Sequence, residues 1–148
     1  MFTLDAIMTT DLITVSLSTS LAEARSLMQD YRIRHLPVTN DGGELVGLLT
    51  QSDVLAATDS ILRDDDNRIR AKEILIQDVM VTKVATVDEN ASLRQAALFL
   101  EKHRIGCLPV VSEEKLVGII TDTDFVGVAI NLLEQLEEFE PVAEEIAD

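Results

Sequence analysis

The stretch "LVGLLTQSDVL" at residues 45–55 returns as "LVGIITDTDFV" at residues 116–126. Each copy is an apolar run suited to a strand, then Thr-x-x-Asp, then the apolar start of a helix. The match extends outward. Residues 7–55 align with residues 79–126 at an offset of 72 that falls to 71 after the turn, so the second copy is one residue shorter there. Matched landmarks are Met8/Met80, Thr14/Thr86, Ser20/Ser92, Leu36-Pro37-Val38/Leu108-Pro109-Val110 and Gly47/Gly118. A repeat of this length means paired units, neither able to bury its apolar face alone.

Each copy reads as strand, helix, strand, strand, helix. Short extended runs at 13–15 and 84–87 come first. Ser20-Leu-Ala-Glu23 and Ser92-Leu-Arg-Gln95 both fit a capping box at a helix start. Leu21, Ala24, Leu27, Met28 and Tyr31 then recur at helical spacing, as do Leu93, Ala96, Ala97, Leu100 and His103. "HLPVT" and "CLPVV" follow as strands carrying Pro37 and Pro109, which suits a strand start or an edge. Turns at Asp41-Gly42-Gly43 and Ser112-Glu113-Glu114 lead into "ELVGLLT" and "KLVGIIT". The expected organisation is a first unit over 1–58, a linker over 59–76 containing the polar run "RDDDNRIRAK", a second unit over 77–133 and an acidic end over 134–148. In the last helix Phe125, Val128, Ala129, Leu132, Leu133, Leu136 and Phe139 form a stripe. It is expected to pack on its own core, with length enough for a subunit contact.

Composition bounds the function. Hydrophobic residues are 47% of the chain and aromatics 3%, so the core is built from Leu, Ile, Val and Ala. The net charge is −15, and seven of the acids lie in the last fifteen residues without a base among them. A nucleic-acid partner needs a basic footprint to release counterions, and an anionic membrane surface needs the same; neither is expected. No apolar run reaches the ~18 residues that span a bilayer, and the N-terminus lacks the pattern of a signal peptide. One cysteine, Cys107, offers no intramolecular disulfide. A soluble cytoplasmic protein is the expectation.

Thr50-Gln-Ser-Asp53 and Thr121-Asp-Thr-Asp124 sit between strand and helix. Such a motif caps a helix, satisfying backbone N–H groups left without partners. A strand leading into a helix N-terminus is also an anion and sugar site, where a hydroxyl and free N–H groups receive phosphate and a carboxylate accepts from ribose hydroxyls. Both readings stand on spacing alone. His35, His103 and Cys107 show no metal-ligand spacing, and no nucleophile elbow, P-loop or dinucleotide fingerprint occurs. No catalytic residue, metal or required cofactor is therefore expected.

The paired units, each with a first-strand Thr, an apolar-Pro-Val strand and a closing G-h-h-T-x-x-D, resemble a tandem cystathionine-β-synthase (CBS) domain protein over residues 4–133. The resemblance implies an α/β (α+β) fold of two βαββα repeats packed sheet to sheet with pseudo-two-fold symmetry. It also implies a homodimer and inter-repeat clefts for an adenosine compound: AMP, ADP, ATP or S-adenosylmethionine. Carried onto this chain, one cleft joins Thr121, Thr123 and Asp124 to Thr14, Ile33, Arg34, His35 and Pro37. The other joins Thr50, Ser52 and Asp53 to Thr86, Ile105, Gly106, Cys107 and Pro109. The aspartates would take ribose and the first strands would sandwich adenine. Arg34 and His35 face Gly106 and Cys107 at the matching positions, so only the Arg34 cleft is expected to hold a phosphate well. AMP is the favoured ligand, since few bases surround the clefts. The function implied is a stand-alone, non-enzymatic regulatory module acting on an unidentified protein; the alternative is a ligand-free dimerisation module.

Overall fold

The structure is a computed structural model and describes residues 3–62 and 74–139. The polar run at 63–72 and the tail beyond 139 lie outside the described residues, as does the side chain of Phe139.

Helices α1 (Leu21–Tyr31) and α3 (Leu93–His103) begin where the serines place them. At α3 the box closes both ways: Gln95 N–H donates to Ser92 Oγ at 3.1 Å and Ser92 N–H donates to Gln95 Oε1 at 2.9 Å. At α1 only Glu23 N–H to Ser20 Oγ forms, and the Glu23 side chain stays exposed. Leu21, Ala24 and Met28 are buried along α1, but Tyr31 is 58% exposed, because the helix ends there and the chain turns away. His103 likewise ends α3 exposed, its ring against Phe99. Both helices stop on an arginine in the left-handed region, Arg32 at φ 54° and Arg104 at φ 51°.

Strand β1 (His35–Thr39) pairs antiparallel with β2 (Leu45–Thr50), after which the chain enters α2 (Gln51–Leu62). In the second copy β3 (Val87–Asp88) pairs in parallel with β4 (Cys107–Ser112), which pairs antiparallel with β5 (Lys115–Thr121). Helix α4 (Asp122–Phe139) follows. In the first hairpin Asn40 Oδ1 accepts from the N–H groups of Gly42 and Glu44, and Gly43 takes φ 81°. The second makes its turn with Glu113 at φ 50° and Glu114 at φ 70°, between the paired Ser112 and Lys115. This tighter turn accounts for the missing residue.

The extended runs expected at 13–15 and 84–87 are shorter in the fold. The first is a single parallel bridge, with Val15 N–H donating to Pro37 O and Thr39 N–H to Val15 O. The second is the two residues of β3. Proline is the physical reason. The next bond in each parallel ladder would come from the N–H of Pro37 or Pro109, and neither has one.

The two cores are built across the repeats. Leu4, in a 3-10 turn at Leu4–Ala6, is fully buried in the core of the second copy with Leu108, Val110 and Ile120. Ile76, in the matching turn at Ile76–Asp78, is fully buried in the core of the first with Leu36, Val38 and Leu49. Thr9 bridges Ile119 antiparallel, and Val81 bridges Leu48. Each entering segment thus becomes an edge of the other copy's sheet, and the repeats are clasped about a pseudo-two-fold axis.

The two repeated glycines are explained by this exchange. A Cβ on Gly118 would stand 2.6 Å from Met8 Sδ, and one on Gly47 would meet Met80 Sδ closer still. The apolar stripe of α4 does not pack as expected. Phe125 and Val128 are partly buried, but from Ala129 to Glu138 every residue is exposed, Leu133 at 57%. The helix outruns the sheet beneath it, and only its first two turns have a surface to cover.

Candidate functional site

Exchange of the entering segments leaves two equivalent clefts, one on each side of the axis. The first, about 240 Å³, is walled by Thr9, Asp11, Leu12 and Ile13, by the run from Arg32 to His35 with Pro37, and by Ile119, Thr121, Asp122 and Thr123. The second, about 250 Å³, is walled by Val81, Lys83, Val84 and Ala85, by Ile105, Gly106 and Cys107, and by His35, Leu48 and Thr50. The offset of 72 or 71 maps nine of the first cleft's thirteen wall residues onto the second, among them Ile13 onto Ala85, Ile33 onto Ile105 and Thr121 onto Thr50. Apolar side chains on two sides and a threonine hydroxyl at a helix start form the shared scaffold.

Polar equipment differs. Asp11, Arg32, Arg34 and Asp122 enter the first cleft, two cations against two carboxylates. Lys83 enters the second, whose wall holds no carboxylate. Lys83 was not legible as a site residue, because its mate in the repeat is Asp11 and the exchanged segment carries it to the far copy's strand. Gly106 and Cys107 stand in the second cleft where the first has Arg34 and His35, and Lys83 adds a cation from the entering segment.

Among the expected site residues, Ile33, Arg34, His35, Pro37, Thr121 and Thr123 meet in the first cleft. Thr50, Ile105, Gly106 and Cys107 meet in the second. Thr14 lies instead in a groove with Ser16, Thr19 and Glu23, and Thr86 in one at the hairpin end. Pro109 is fully buried in β4. Ser52 borders a third cavity of about 260 Å³ on the axis, shared with Arg34, His35, Thr50, Gly106 and Asp122.

Both threonines of Thr-x-x-Asp cap their helix, and the Asp124 carboxylate joins in the capping. Thr121 N–H donates to Asp124 Oδ2 at 2.9 Å, and Asp124 N–H donates to Thr121 Oγ1 at 3.4 Å. Asp53 N–H donates to Thr50 Oγ1 at 3.2 Å. Neither carboxylate lines a cleft; Asp122 shares the first cleft and the axial cavity with Arg34, where Asp124 was expected. Asp122 N–H is tied to Gly106 O at 3.1 Å, and Gln51 N–H to Arg34 O at 2.8 Å, so each helix start is strapped to the pre-proline segment of its own unit.

Electrostatics follow from this packing. Burial lowers the pKa of His35, Arg34 lowers it further, and Asp122 partly opposes both. The Cys107 thiol is pushed up to about 12 by burial and then by Asp122 and Asp124. It is a small buried apolar group with its proton held, not a nucleophile. Among the described residues no group of three or more His, Cys, Asp or Glu is placed to hold a metal. No helix among them is long and apolar enough to cross a membrane.

A family model of the CBS domain matches residues 4–60 and 76–131. The chain belongs to the CBS-domain family. It superposes on the crystal structure of a Vibrio cholerae protein described as an acetoin utilization protein (AcuB) with a TM-score of 0.80 and 42% identity, over 95% of this chain and 99% of that one. CBSX2 in complex with AMP gives a TM-score of 0.76 and 29% identity, over 90% and 99%. The CBS domain pair of protein MJ0100, in complex with 5'-methylthioadenosine and S-adenosyl-L-methionine, gives 0.75 and 26%, over 88% and 97%. The fold is a CBS pair, α+β, with two small sheets.

Proposed function

We propose that this CBS pair is a non-catalytic regulatory module that binds an adenosine nucleotide in its inter-repeat clefts and passes the change in shape to another protein. The observation that carries the reading is the pair of clefts, each with apolar walls, a helix-start threonine and a basic side chain. Support comes from relatives of the same fold whose structures contain AMP or S-adenosylmethionine. Adenine would lie between Ile13 and Ile33 in the first cleft and between Ala85 and Ile105 in the second. Arg34 and Lys83 would meet phosphate. AMP is favoured over a triphosphate, because Asp11 and Asp122 oppose the arginines and a longer anionic chain would lack partners.

A ligand-free interaction module is the second reading, favoured by the capping role of Asp124 and by the bare face of α4. That face, with Val126, Ile130 and Leu133, would bury against a second copy in a homodimer. Thermal shift over AMP, ADP, ATP and S-adenosylmethionine decides between them. A ligand at a hundredfold over its Kd stabilises by about 2.7 kcal/mol, or a rise of about 5–10 °C. A flat response to all four would sink the nucleotide reading. Retention of AMP affinity in Arg34→Ala with Lys83→Ala would sink the assignment of the phosphate partners.

A further inference from the structure

The repeat symmetry is broken at one position that the clefts share. Cys107 and His35 are mates in the repeat, each opening the proline-bearing strand of its copy. Cys107 lines its own cleft and not the other. His35 lines the first cleft, the second cleft and the axial cavity between them. Its backbone pairs with Thr50, the helix-start threonine of the second cleft, while Arg34 before it belongs to the first. One histidine therefore borders both binding sites.

We propose that His35 makes the two clefts interdependent: an anion seated in either is met by the imidazolium form, whose charge then faces the other cleft too. The proposal rests on the nucleotide reading above. The groups around the ring set the sign. Arg32, Arg34 and Asp11 share the first cleft with His35, Lys83 and Cys107 share the second, and Asp122 reaches it from the start of α4. Without ligand, burial and Arg34 lower the ring's proton affinity, against the pull of Asp122. A phosphate beside Arg34 cancels the repulsion and adds an attraction, so a proton is taken up from solvent onto the ring on binding. The new positive charge favours a second anion across the shared wall, and the coupling is reciprocal.

The chain contains two histidines, and His103 sits exposed on α3 with its ring 4.2 Å from Phe99, away from both clefts. Side-chain NMR of the whole protein therefore follows His35 with His103 as internal reference. Saturating AMP is expected to raise the His35 midpoint by about one pH unit, a tenfold change in proton affinity. Calorimetry on wild type is expected to show the second AMP binding up to about tenfold tighter than the first, with proton uptake; His35→Gln should bind both independently. The phosphate's own ionisation near pH 6 is common to both proteins and cancels in the comparison. Backbone amide shifts at Thr121 and Thr50 report occupancy of each cleft separately. If AMP moves both amides while the His35 midpoint stays fixed, or if coupling persists in His35→Gln, the proposal is overturned and the nucleotide reading survives. Shifts confined to one cleft at saturating AMP overturn the interdependence as well. If AMP moves no resonance, the nucleotide reading itself falls.

Discussion

Gly118→Ala tests the clasp between the repeats. The new methyl would stand 2.6 Å from Met8 Sδ, 3.1 Å from its Cγ and 3.3 Å from its Cε. The backbone under Met8 has little freedom to retreat. Met8 N–H bonds Leu4 O at 2.9 Å, Thr9 and Ile119 exchange bonds at 2.9 and 3.0 Å, and Leu4 is fully buried in the second core. The thioether must therefore leave its rotamer, at the cost of an overpacked core site, about 1–3 kcal/mol. On the scale of a 148-residue domain this lowers Tm by roughly 3–10 °C. The same segment supplies Thr9, Asp11, Leu12 and Ile13 to the first cleft, so AMP affinity there should fall while the second cleft is spared. Urea unfolding of Gly118→Ala, Met8→Ala and the double variant gives the decisive number. Met8→Ala alone leaves a cavity and Gly118→Ala alone a clash, so the pair should be less destabilised than the sum by about 1 kcal/mol or more. Additive costs, or a Gly118→Ala variant as stable as wild type, would refute the contact and with it the exchanged segments.

Other expectations follow from single features. Gln95→Ala removes the side-chain half of a reciprocal capping box, the bond from Ser92 N–H, and should cost about 1 kcal/mol more in chemical unfolding than Glu23→Ala, which removes no such bond. Equal costs would show that the returned Gln95 bond is without weight. Arg104 pays for a left-handed backbone at φ 51° and lines neither cleft, so Arg104→Gly should raise Tm by roughly 2–4 °C without altering AMP binding. Cys107, with its thiol pushed up to about 12, should resist alkylation at pH 8 until the protein is unfolded in urea. Its folded pKa lies above its unfolded one, so its contribution to stability is complete below the unfolded pKa and is lost as pH rises toward 12. Stability that rises in alkali, or rapid native alkylation, would contradict the buried site.

Local signals carried much of the architecture. Ser20 and Ser92 start helices where their spacing placed them, and Thr50 and Thr121 close strands. Periodicity was least reliable at element ends. Tyr31 keeps helical spacing but has no neighbour to cover it, and the α4 stripe continues past the sheet it would pack on. A pattern records which side chains share a face, and burial needs a second surface at the right distance. The Thr-x-x-Asp pairs show the same division at the site. Their capping geometry is local and was legible; which carboxylate enters a cleft depends on how α4 meets the opposite copy, and there Asp122 replaces Asp124.

By itself the sequence determined that two like units exist, how each is ordered, and that Arg34 and His35 differ from Gly106 and Cys107. Tertiary structure alone decided the exchange of Leu4 and Ile76 between the cores, which brings Asp11 into one cleft and Lys83 into the other. It also set His35 between them. The reason is physical: strand and helix signals act over a few residues, whereas Thr9 and Ile119, or Val81 and Leu48, meet only because neither sheet can cover its own edge.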